Sequence, residues 1–269
     1  MNNKIIFFAG AGNMAGAIIA GMVNSGAFKP GNVICNDTQP DKAGALGEKY
    51  GVSVSCDKKK SVPLADIIVL AVKPQNMPAV LGEIKPFIKK SALIISIAAG
   101  ITTEFIENSL GAEQAAVRAM PNTPALAGMG TTALCAGKYA SDKDLQAASD
   151  IFSSVGTAKV LGEDKFDAVT ALSGSGPAYV FYLCELMQRA GESLGLDKDT
   201  AEEFAVRTVA GAGKMLAENF AGAASLRRAV TSPNGTTQAA LEYFDSQNLS
   251  EIVRAAMEQA ALRSKELSK

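Results

Sequence analysis

A glycine-rich turn close to the N-terminus is the first feature of this sequence that could do chemistry. The motif Gly10-Ala11-Gly12-Asn13-Met14-Ala15 directly follows the apolar run Lys4–Ala9 and opens a helical stretch. In this setting Gly10 permits a tight turn, Gly12 lets the backbone approach a pyrophosphate, and Ala15 allows close contact between helix and strand. The helix N-terminus adds unpaired N–H groups for phosphate. The turn predicts a dinucleotide site, the alternative being a purely structural turn.

A second candidate lies about twenty residues further on, where a dinucleotide site contacts the adenosine ribose. The second apolar run ends at Asn36-Asp37-Thr38. An acid at this position binds the ribose 2′-OH of NAD, whereas NADP needs a neutral or basic pocket for its 2′-phosphate. Because Asn36 is neutral, Asp37 is acidic and no arginine is near, these residues leave the choice between NAD and NADP open.

Two further strand ends would bring loops to the same edge of a parallel sheet. One strand ends at Ala71-Val72-Lys73-Pro74 and the next at Ser96-Ile97-Ala98-Ala99-Gly100. Ligands of open α/β folds bind outside the carboxyl ends of their strands. Lys73 could contact phosphate or ribose there, or be a solvated lysine before the proline.

The absence of one residue type excludes several chemistries. Among 269 residues there is no histidine. A Ser-His-Asp triad, a Cys-His dyad and zinc sites of the HExxH or Cys2His2 kind are therefore excluded, and we expect no metal site. The four cysteines are scattered without a CxxC pair, which is typical of reduced thiols in a cytoplasmic protein.

Charge and hydropathy limit the expected partners. Lysine and arginine number 26 against 27 acidic residues, a net charge of -1, so we expect no attraction to nucleic acid or to an anionic membrane. No apolar stretch approaches the ~18 residues of a membrane span. The first apolar run is also too short for a signal peptide. These features favour a cytoplasmic protein that binds a small molecule.

The elements that must position these residues alternate between strand and helix in the first part of the chain. Branched apolar runs predict strands over Lys4–Ala9, Asn32–Asn36, Asp66–Val72, Leu93–Ile97 and Ala115–Met120. Longer amphipathic stretches between them, the first being Ala17–Asn24, predict helices on both faces of a parallel sheet. The fold class is α/β, with a doubly wound sheet of the Rossmann type over residues 1–162.

After about Leu161 the pattern becomes helical, which predicts an all-helical domain over residues 163–269. The predicted helices span Pro177–Leu194, Thr200–Asn219, Thr236–Phe244 and Ser250–Leu267. Thr200-Ala201-Glu202-Glu203 reads as a capping box at the start of one of them. Because helices rich in Ala and Gly bury little area per residue, such a domain would gain much by packing against a second copy. We therefore expect a dimer.

Five motifs taken together resemble those of pyrroline-5-carboxylate reductases, in the order of that family and from residue 4 to the last helix. They are Gly10-Ala11-Gly12-Asn13-Met14, Ala71-Val72-Lys73-Pro74, Arg118-Ala119-Met120-Pro121-Asn122-Thr123-Pro124, Ser173-Gly174-Ser175-Gly176-Pro177-Ala178-Tyr179 and Thr231-Ser232-Pro233-Asn234-Gly235-Thr236-Thr237. The resemblance implies that a nicotinamide cofactor reduces the cyclic imine 1-pyrroline-5-carboxylate to L-proline, the last step of proline biosynthesis. It also implies a helical domain that interlocks with that of a partner, with the active site at the homodimer interface.

The resemblance assigns roles to individual residues. Ser232, Gly235 and Thr236 would surround the substrate carboxylate, and the hydroxyl of Thr237 would face the ring nitrogen as the catalytic group. Ser173–Pro177 is predicted to be a loop that breaks a helical region and brings Ser175 and Gly176 near the nicotinamide or the substrate, a simple hinge between helices being the alternative. The predicted cofactor-binding residues are Gly10, Ala11, Gly12, Asn13, Met14, Asn36, Asp37, Ala71, Val72, Lys73, Pro74, Ala98 and Asn122.

The residues around the last motif support an anion site independently. Ser232–Thr237 is rich in turn-forming residues and leads into the N-terminus of a predicted helix. Backbone N–H groups there could hold a carboxylate without an arginine. An ordinary helix-capping loop is the alternative interpretation of this segment.

Departures from the family pattern concern the cofactor. The resemblance favours NADPH, but Asp37 stands where many members carry a basic or small polar residue, and NADH is possible. Lys58 aligns with an asparagine that some members use for the adenosine ribose, so that contact is not carried over. Lys58-Lys59-Lys60 is either a source of positive charge for phosphate or a solvated basic turn. Assembly of dimers into a larger ring leaves no readable motif.

Two other functions compete with this prediction. A β-hydroxyacid dehydrogenase would need Lys and Asn four residues apart on a late helix, whereas Lys214 and Asn219 are five apart and so do not share a face. A regulatory protein that binds a dinucleotide without catalysis would keep the fold and lose the reaction.

Overall fold

The computed structural model describes residues 3–111, 113–218 and 222–267 of the chain. These residues contain one eight-stranded sheet. Its strands are β1 (Ile6–Ala9), β2 (Val33–Asn36), β3 (Ser53–Val54), β4 (Ile67–Leu70), β5 (Leu93–Ser96), β6 (Ala116–Met120), β7 (Gly130–Ala136) and β8 (Gly156–Val160).

The α-helices lie between the strands and then fill the last third of the chain. They are α1 (Asn13–Asn24), α2 (Pro40–Tyr50), α3 (Lys58–Ser61), α4 (Met77–Ile84), α5 (Thr103–Leu110), α6 (Asp142–Ser153), α7 (Phe166–Val169), α8 (Gly176–Ser193), α9 (Lys198–Glu218), α10 (Ala223–Ala229), α11 (Thr236–Ser246) and α12 (Leu249–Leu267). Short 3-10 turns connect several of them, and a π-helical turn, Thr170–Gly174, links α7 to the start of α8.

The strand order is β3-β2-β1-β4-β5-β6-β7-β8. β1 to β6 are parallel, with β1 between β2 and β4, so the chain reverses its winding direction at β1. The predicted parallel sheet of the Rossmann type is thus confirmed. β7 departs from it by running antiparallel to β6, with β8 parallel to β7.

The short apolar strands are buried because helices cover both faces of the sheet. All four residues of β1 and of β4 are buried. Successive side chains point to opposite faces, so Ile6 and Phe8 belong to one apolar core and Phe7 and Ala9 to the other. This two-sided burial explains why these strands lack polar alternation.

Two helix starts differ by more than one residue from those predicted. α1 begins at Asn13, next to the glycine turn, and not at Ala17. The capping box predicted at Thr200 is wrong, because α9 begins at Lys198. The carboxylate of Asp197 accepts a hydrogen bond from the Thr200 N–H at 3.0 Å, which is the usual way in which an Asp satisfies the free donors of a first turn.

The described residues form two compact units. Unit 1 runs to Gly174 and includes the chain from Ala260 onward, and unit 2 is Ser175–Gln259. In unit 1 the end of α12 is tied to α7, since the Ser264 hydroxyl donates to Asp167 Oδ1 at 2.7 Å. In unit 2 only Ala201 and Ala205 are buried among the described residues. The domain boundary predicted from the sequence, 1–162 and 163–269, stays a prediction.

Within the described ranges, no helix is long and apolar enough to cross a membrane.

Candidate functional site

The glycine turn after β1 is pressed against the end of β4. Gly10 has a φ of 108°, which favours glycine. A Cβ at Gly10 would lie 2.4 Å from the carbonyl oxygen of Ala71, so a side chain does not fit. The Gly10 N–H donates to the Asn36 carbonyl at 2.7 Å. The turn is therefore fixed between the ends of β2 and β4.

Gly12, the second glycine of the turn, has open space where a side chain would lie. A Cβ at Gly12 would have no described heavy atom within 4 Å. Gly12 caps α1, whose first turn receives no side-chain cap and contains no acidic residue. The N–H groups of this turn and the helix dipole suit a negatively charged group. The turn thus fits the pyrophosphate of a dinucleotide.

Two cavities, which together are called the cleft, lie on either side of this turn at the carboxyl edge of the sheet. One cavity of about 270 Å³ includes Gly10, Asn36 and Asp37. Another, of about 310 Å³, shares Val72 with the first. The predicted residues that line the second are Gly12, Asn13, Met14, Ala71, Val72, Lys73, Pro74 and Ala98. The structure therefore brings together most of the residues predicted to bind the cofactor.

Asp37 and Glu83 are the acidic residues of the cavity of about 270 Å³, which is the end of the cleft predicted to hold the adenosine. Asp37 Oδ2 accepts the Ala11 N–H at 2.7 Å, and its Oδ1 accepts the Gln39 N–H at 2.8 Å. The side-chain amide of Asn36 is used within the fold, because it donates to the Ser55 carbonyl at 2.6 Å. Burial, reinforced by the Asp37 carboxylate, raises the pKa of the Cys35 thiol to about 12. Cys35 is therefore a core residue and not a nucleophile.

The lysine run after β3 combines an ion-paired lysine, Lys58, with two exposed ones, Lys59 and Lys60. It forms the short helix α3, capped by Asp57, whose Oδ1 accepts the Lys59 N–H at 3.0 Å. Lys58 lines the cavity beside Asp37, and its ammonium group pairs with Glu83 of α4.

Asn122, predicted to bind the cofactor, has a structural use in unit 1. Its amide group donates to the Ser173 carbonyl at 3.0 Å, and its Oδ1 accepts the Thr131 N–H at 2.9 Å. It thereby joins the start of β7 to the π-helical turn. Asn122 does not line either cavity of the cleft, and its contact with a cofactor stays a prediction.

A buried ion pair between β6 and the segment before α7 was not predicted from the sequence. Arg118 of β6 is 3% exposed, and its guanidinium stacks over the Phe166 ring at 4.5 Å. Its Nη1 contacts Glu163 Oε1 at 3.2 Å, and that carboxylate also accepts the N–H and hydroxyl of Thr103 at 3.1 and 2.8 Å. An arginine inside a strand of otherwise apolar residues was the available signal, since a buried charge needs a partner.

The segment Ser173–Pro177 was predicted to be a loop that breaks a helical region, and this is wrong. Residues 170–174 form the π-helical turn, and α8 begins directly at Gly176. Such turns are frequent at functional sites. A Cβ at Gly174 would lie 2.7 Å from Met120 Cε, so glycine allows the turn to lie close to the end of β6. Ser175 and Gly176 stand at the N-terminus of α8.

In unit 2, the segment with the predicted substrate residues forms a turn before α11. Gly235 caps this helix without a side-chain hydrogen bond, so the N–H groups of its first turn have no partner within the helix. Asn234 has a φ of 56°, and its N–H donates to Gln238 Oε1 at 2.8 Å. A Cβ at Gly235 would lie 2.4 Å from Ser232 Oγ. Ser232, Gly235, Thr236 and Thr237 are thus gathered at one helix N-terminus.

Comparisons with known proteins match nearly the whole chain. Residues 163–267 match the family model described as pyrroline-5-carboxylate reductase dimerisation, and residues 4–100 match that described as NADP oxidoreductase, coenzyme F420-dependent. The pyrroline-5-carboxylate reductase of Pseudomonas aeruginosa is 40% identical, with 100% of this chain and 98% of the relative covered.

Solved structures give the same result. A pyrroline-5-carboxylate reductase from Coxiella burnetii has a TM-score of 0.94 and 40% identity, with 100% of both chains covered. The Plasmodium falciparum pyrroline carboxylate reductase, described with NADP bound, has a TM-score of 0.87 and 30% identity, again with 100% of both chains covered. The resemblance seen in the five motifs is confirmed, and the chain belongs to the pyrroline-5-carboxylate reductase family.

Proposed function

We propose that this chain reduces 1-pyrroline-5-carboxylate to L-proline, the last step of proline biosynthesis, with hydride from a nicotinamide dinucleotide. The observation that carries the proposal is its end-to-end similarity to reductases named for this substrate, at 40% identity for the Pseudomonas aeruginosa enzyme. The glycine turn, the cleft beside it and the uncapped N-terminus of α11 supply the groups that such a reaction needs.

The cleft of unit 1 would hold the cofactor. The turn Gly10–Met14 would bind the pyrophosphate through backbone N–H groups, and Ala71–Pro74 with Ala98 would line the nicotinamide side. When bound, the reduced nicotinamide supplies the hydride. The family resemblance and the NADP described in the Plasmodium falciparum structure favour NADPH, whereas Asp37 favours NADH.

The N-terminus of α11 would hold the substrate. Residues 231–237 contain no ionisable side chain, so the carboxylate would be bound by neutral donors, the backbone N–H groups of the first turn and the hydroxyls of Ser232 and Thr236. The Thr237 hydroxyl would hydrogen-bond the ring nitrogen and orient the C=N bond. Ser175 and Gly176, at the start of α8, are proposed to line the substrate or nicotinamide side.

The proton on the imine nitrogen can arrive with the substrate, so the reaction suits a chain without histidine. An imine with basicity near neutrality arrives with its nitrogen already protonated, so no strong protein acid is required. The hydride adds to the imine carbon, the C=N π electrons move to nitrogen, and the product is a secondary amine. The protein contributes orientation and exclusion of water.

We also propose a cytoplasmic homodimer that can assemble into a larger ring. Unit 2 exposes large apolar side chains along its helices, among them Phe181 at 67%, Phe204 at 61% and Tyr243 at 65%. Apolar surface on this scale is typical of an interface. The family model over residues 163–267, described as a dimerisation module, supports the same assembly.

One assay separates the candidate functions. Protein is mixed with NADH or NADPH and 1-pyrroline-5-carboxylate, and the absorbance of the reduced nicotinamide is followed, with a 3-hydroxy acid and the oxidised cofactor as the second arm. We expect oxidation that depends on the imine. Cofactor binding without turnover would favour a regulatory protein. Turnover of the hydroxy acid would favour a β-hydroxyacid dehydrogenase. Of the two residues of this chain that were compared with the Lys and Asn of that family, Lys214 lies 3.8 Å from Glu218, and Asn219 lies outside the described residues.

A further inference from the structure

The adenosine end of the cleft carries an unusual balance of charge for a chain whose relative in Plasmodium falciparum is described with NADP bound. The cavity of about 270 Å³ is lined by the charged side chains Asp37, Lys58 and Glu83, and an adjoining cavity of about 620 Å³ adds Asp57 and Lys59. The first 117 residues of the chain contain no arginine. An arginine near the ribose is the usual partner of the 2′-phosphate of NADP.

Asp37 is held where it can accept hydrogen bonds from a ribose. Each of its oxygens already accepts one backbone N–H, from Ala11 at 2.7 Å and from Gln39 at 2.8 Å. The Thr38 hydroxyl also donates to Oδ1, at 3.5 Å. A carboxylate has about four acceptor sites, so a site remains for a ribose hydroxyl. The bond to Ala11 also ties the carboxylate to the glycine turn that faces the pyrophosphate, which fixes its position relative to the adenosine.

Lys58, the lysine that lines the same cavity as Gly10 and Asp37, is already paired with an acid, and Lys59 lines only the adjoining cavity. Lys58 is partly buried, with 20% of its side chain exposed, and its ammonium group pairs with the Glu83 carboxylate. A 2′-phosphate, with a charge near -2 at pH 7, would meet the Asp37 carboxylate on one side. On the other it would have to displace Glu83 from Lys58. A free 2′-hydroxyl would meet neither obstacle.

We propose that Asp37, together with the Glu83 that holds Lys58, makes this chain select NADH over NADPH. The inference rests on the proposed function only in taking a nicotinamide dinucleotide as the cofactor. The Asp37 carboxylate favours NADH by accepting a hydrogen bond from a ribose hydroxyl, and it disfavours NADPH by repelling the 2′-phosphate. Glu83 acts through Lys58, which it keeps from serving as a phosphate ligand.

Isothermal titration calorimetry with two small probes tests this without turnover. The probes are 5′-AMP and adenosine 2′,5′-bisphosphate, which differ only in the 2′-phosphate. We expect the wild-type chain to bind 5′-AMP at least about tenfold more tightly. Asp37→Asn keeps an oxygen for the Ala11 N–H but removes the charge, and Glu83→Gln releases Lys58 without touching the glycine turn. Each should lower that preference by about fivefold or more.

The matched control is Asp142→Asn, which removes an exposed carboxylate at the start of α6, beside strands at the opposite edge of the sheet from β2. It should leave the ratio of the two affinities unchanged. Equal or tighter binding of the bisphosphate by the wild-type chain would overturn the proposal, as would an unchanged ratio in both Asp37→Asn and Glu83→Gln. Inactivity toward the imine with both cofactors would instead refute the proposed function, and the affinity ratio would still test Asp37.

Discussion

Thr237 is the side chain on which the proposed chemistry depends most directly. Replacement by Ala removes the hydroxyl that would orient the ring nitrogen, and we expect kcat to fall by about 10- to 100-fold because the imine carbon is no longer held in line for the hydride. Cofactor affinity, measured by calorimetry, should change by less than about twofold. Thr237→Ser keeps the hydroxyl and should restore most of the turnover. An unchanged kcat in Thr237→Ala would remove the residue from the mechanism.

At the same scale, the residues of the cleft were predictable and the buried Arg118–Glu163 pair was not. Gly10 and Gly12 are constrained by backbone geometry within one short segment, so their spacing alone indicates the turn. Arg118 and Glu163 meet across 45 residues of sequence, and nothing local to either indicates the other. The role of Asn122 was also not predictable, because its side-chain amide forms hydrogen bonds with two backbone groups that only the fold brings close to it.

At the scale of elements, the Arg118–Glu163 pair links β6 to α5 and to the start of α7. Its two side chains are 4% and 31% exposed. Glu163→Gln would leave the buried guanidinium without its counter-charge, and we expect the free energy of unfolding to fall by about 2 kcal/mol, discounted for the partial exposure of the glutamate. Urea denaturation measures the change.

Asp164 provides the matched control for that variant, because it is the next residue along the chain. Its carboxylate pairs with Lys165 at 2.8 Å on the surface, with both side chains more than half exposed. Asp164→Asn should therefore leave the denaturation midpoint unchanged. Equal effects of the two variants would show that the buried pair has no special importance for stability.

Asp66 connects β1 to the turn before β5 and gives a pH-dependent prediction. Burial raises its pKa, but the Ile5 N–H at 2.9 Å and the Lys89 ammonium at 3.0 Å outweigh this and hold the pKa of Asp66 below its ordinary 3.8. A carboxyl with a lowered pKa stabilises the fold above its unfolded value, and this contribution is lost as the pH falls through the folded value.

Asp66→Asn should therefore be less stable than the wild type at pH 7, by up to about 1 kcal/mol after allowance for solvent screening. The difference should shrink as the pH is lowered below 3.8. Thermal unfolding of both proteins across the acid range measures this. A difference independent of pH would contradict the assigned role of the Asp66 charge.

The elements themselves were predicted where apolar runs were long and missed where they were short. β1, β2, β4, β5 and β6 are buried strands, and their branched residues indicated them. β7 and β8 consist largely of small and polar residues, Gly130–Ala136 and Gly156–Val160, and their pairing depends on tertiary context. The start of α9 was missed because Asp197 offers the same kind of cap as Thr200, and sequence alone does not rank the two.

At the scale of the whole molecule, the exposed apolar helices of unit 2 predict self-association. We expect sedimentation of the wild-type chain to give at least a dimer. Phe181→Asp places a charge on the exposed apolar face of α8 and should shift the equilibrium toward monomer, because a buried unpaired charge strongly opposes association. Arg189→Ala, which breaks an exposed pair with Glu185 on the same helix, should not. A wild-type monomer would contradict this prediction.

In the proposed reaction a hydride passes from the nicotinamide to the imine carbon of 1-pyrroline-5-carboxylate. This step is tested by supplying the preferred cofactor with deuterium at the transferring C4 position and analysing the proline formed by mass spectrometry and NMR. We expect one deuterium per proline, on the ring carbon that was the imine carbon. Proline without deuterium, or cofactor that remains unoxidised in the presence of the imine, would contradict it.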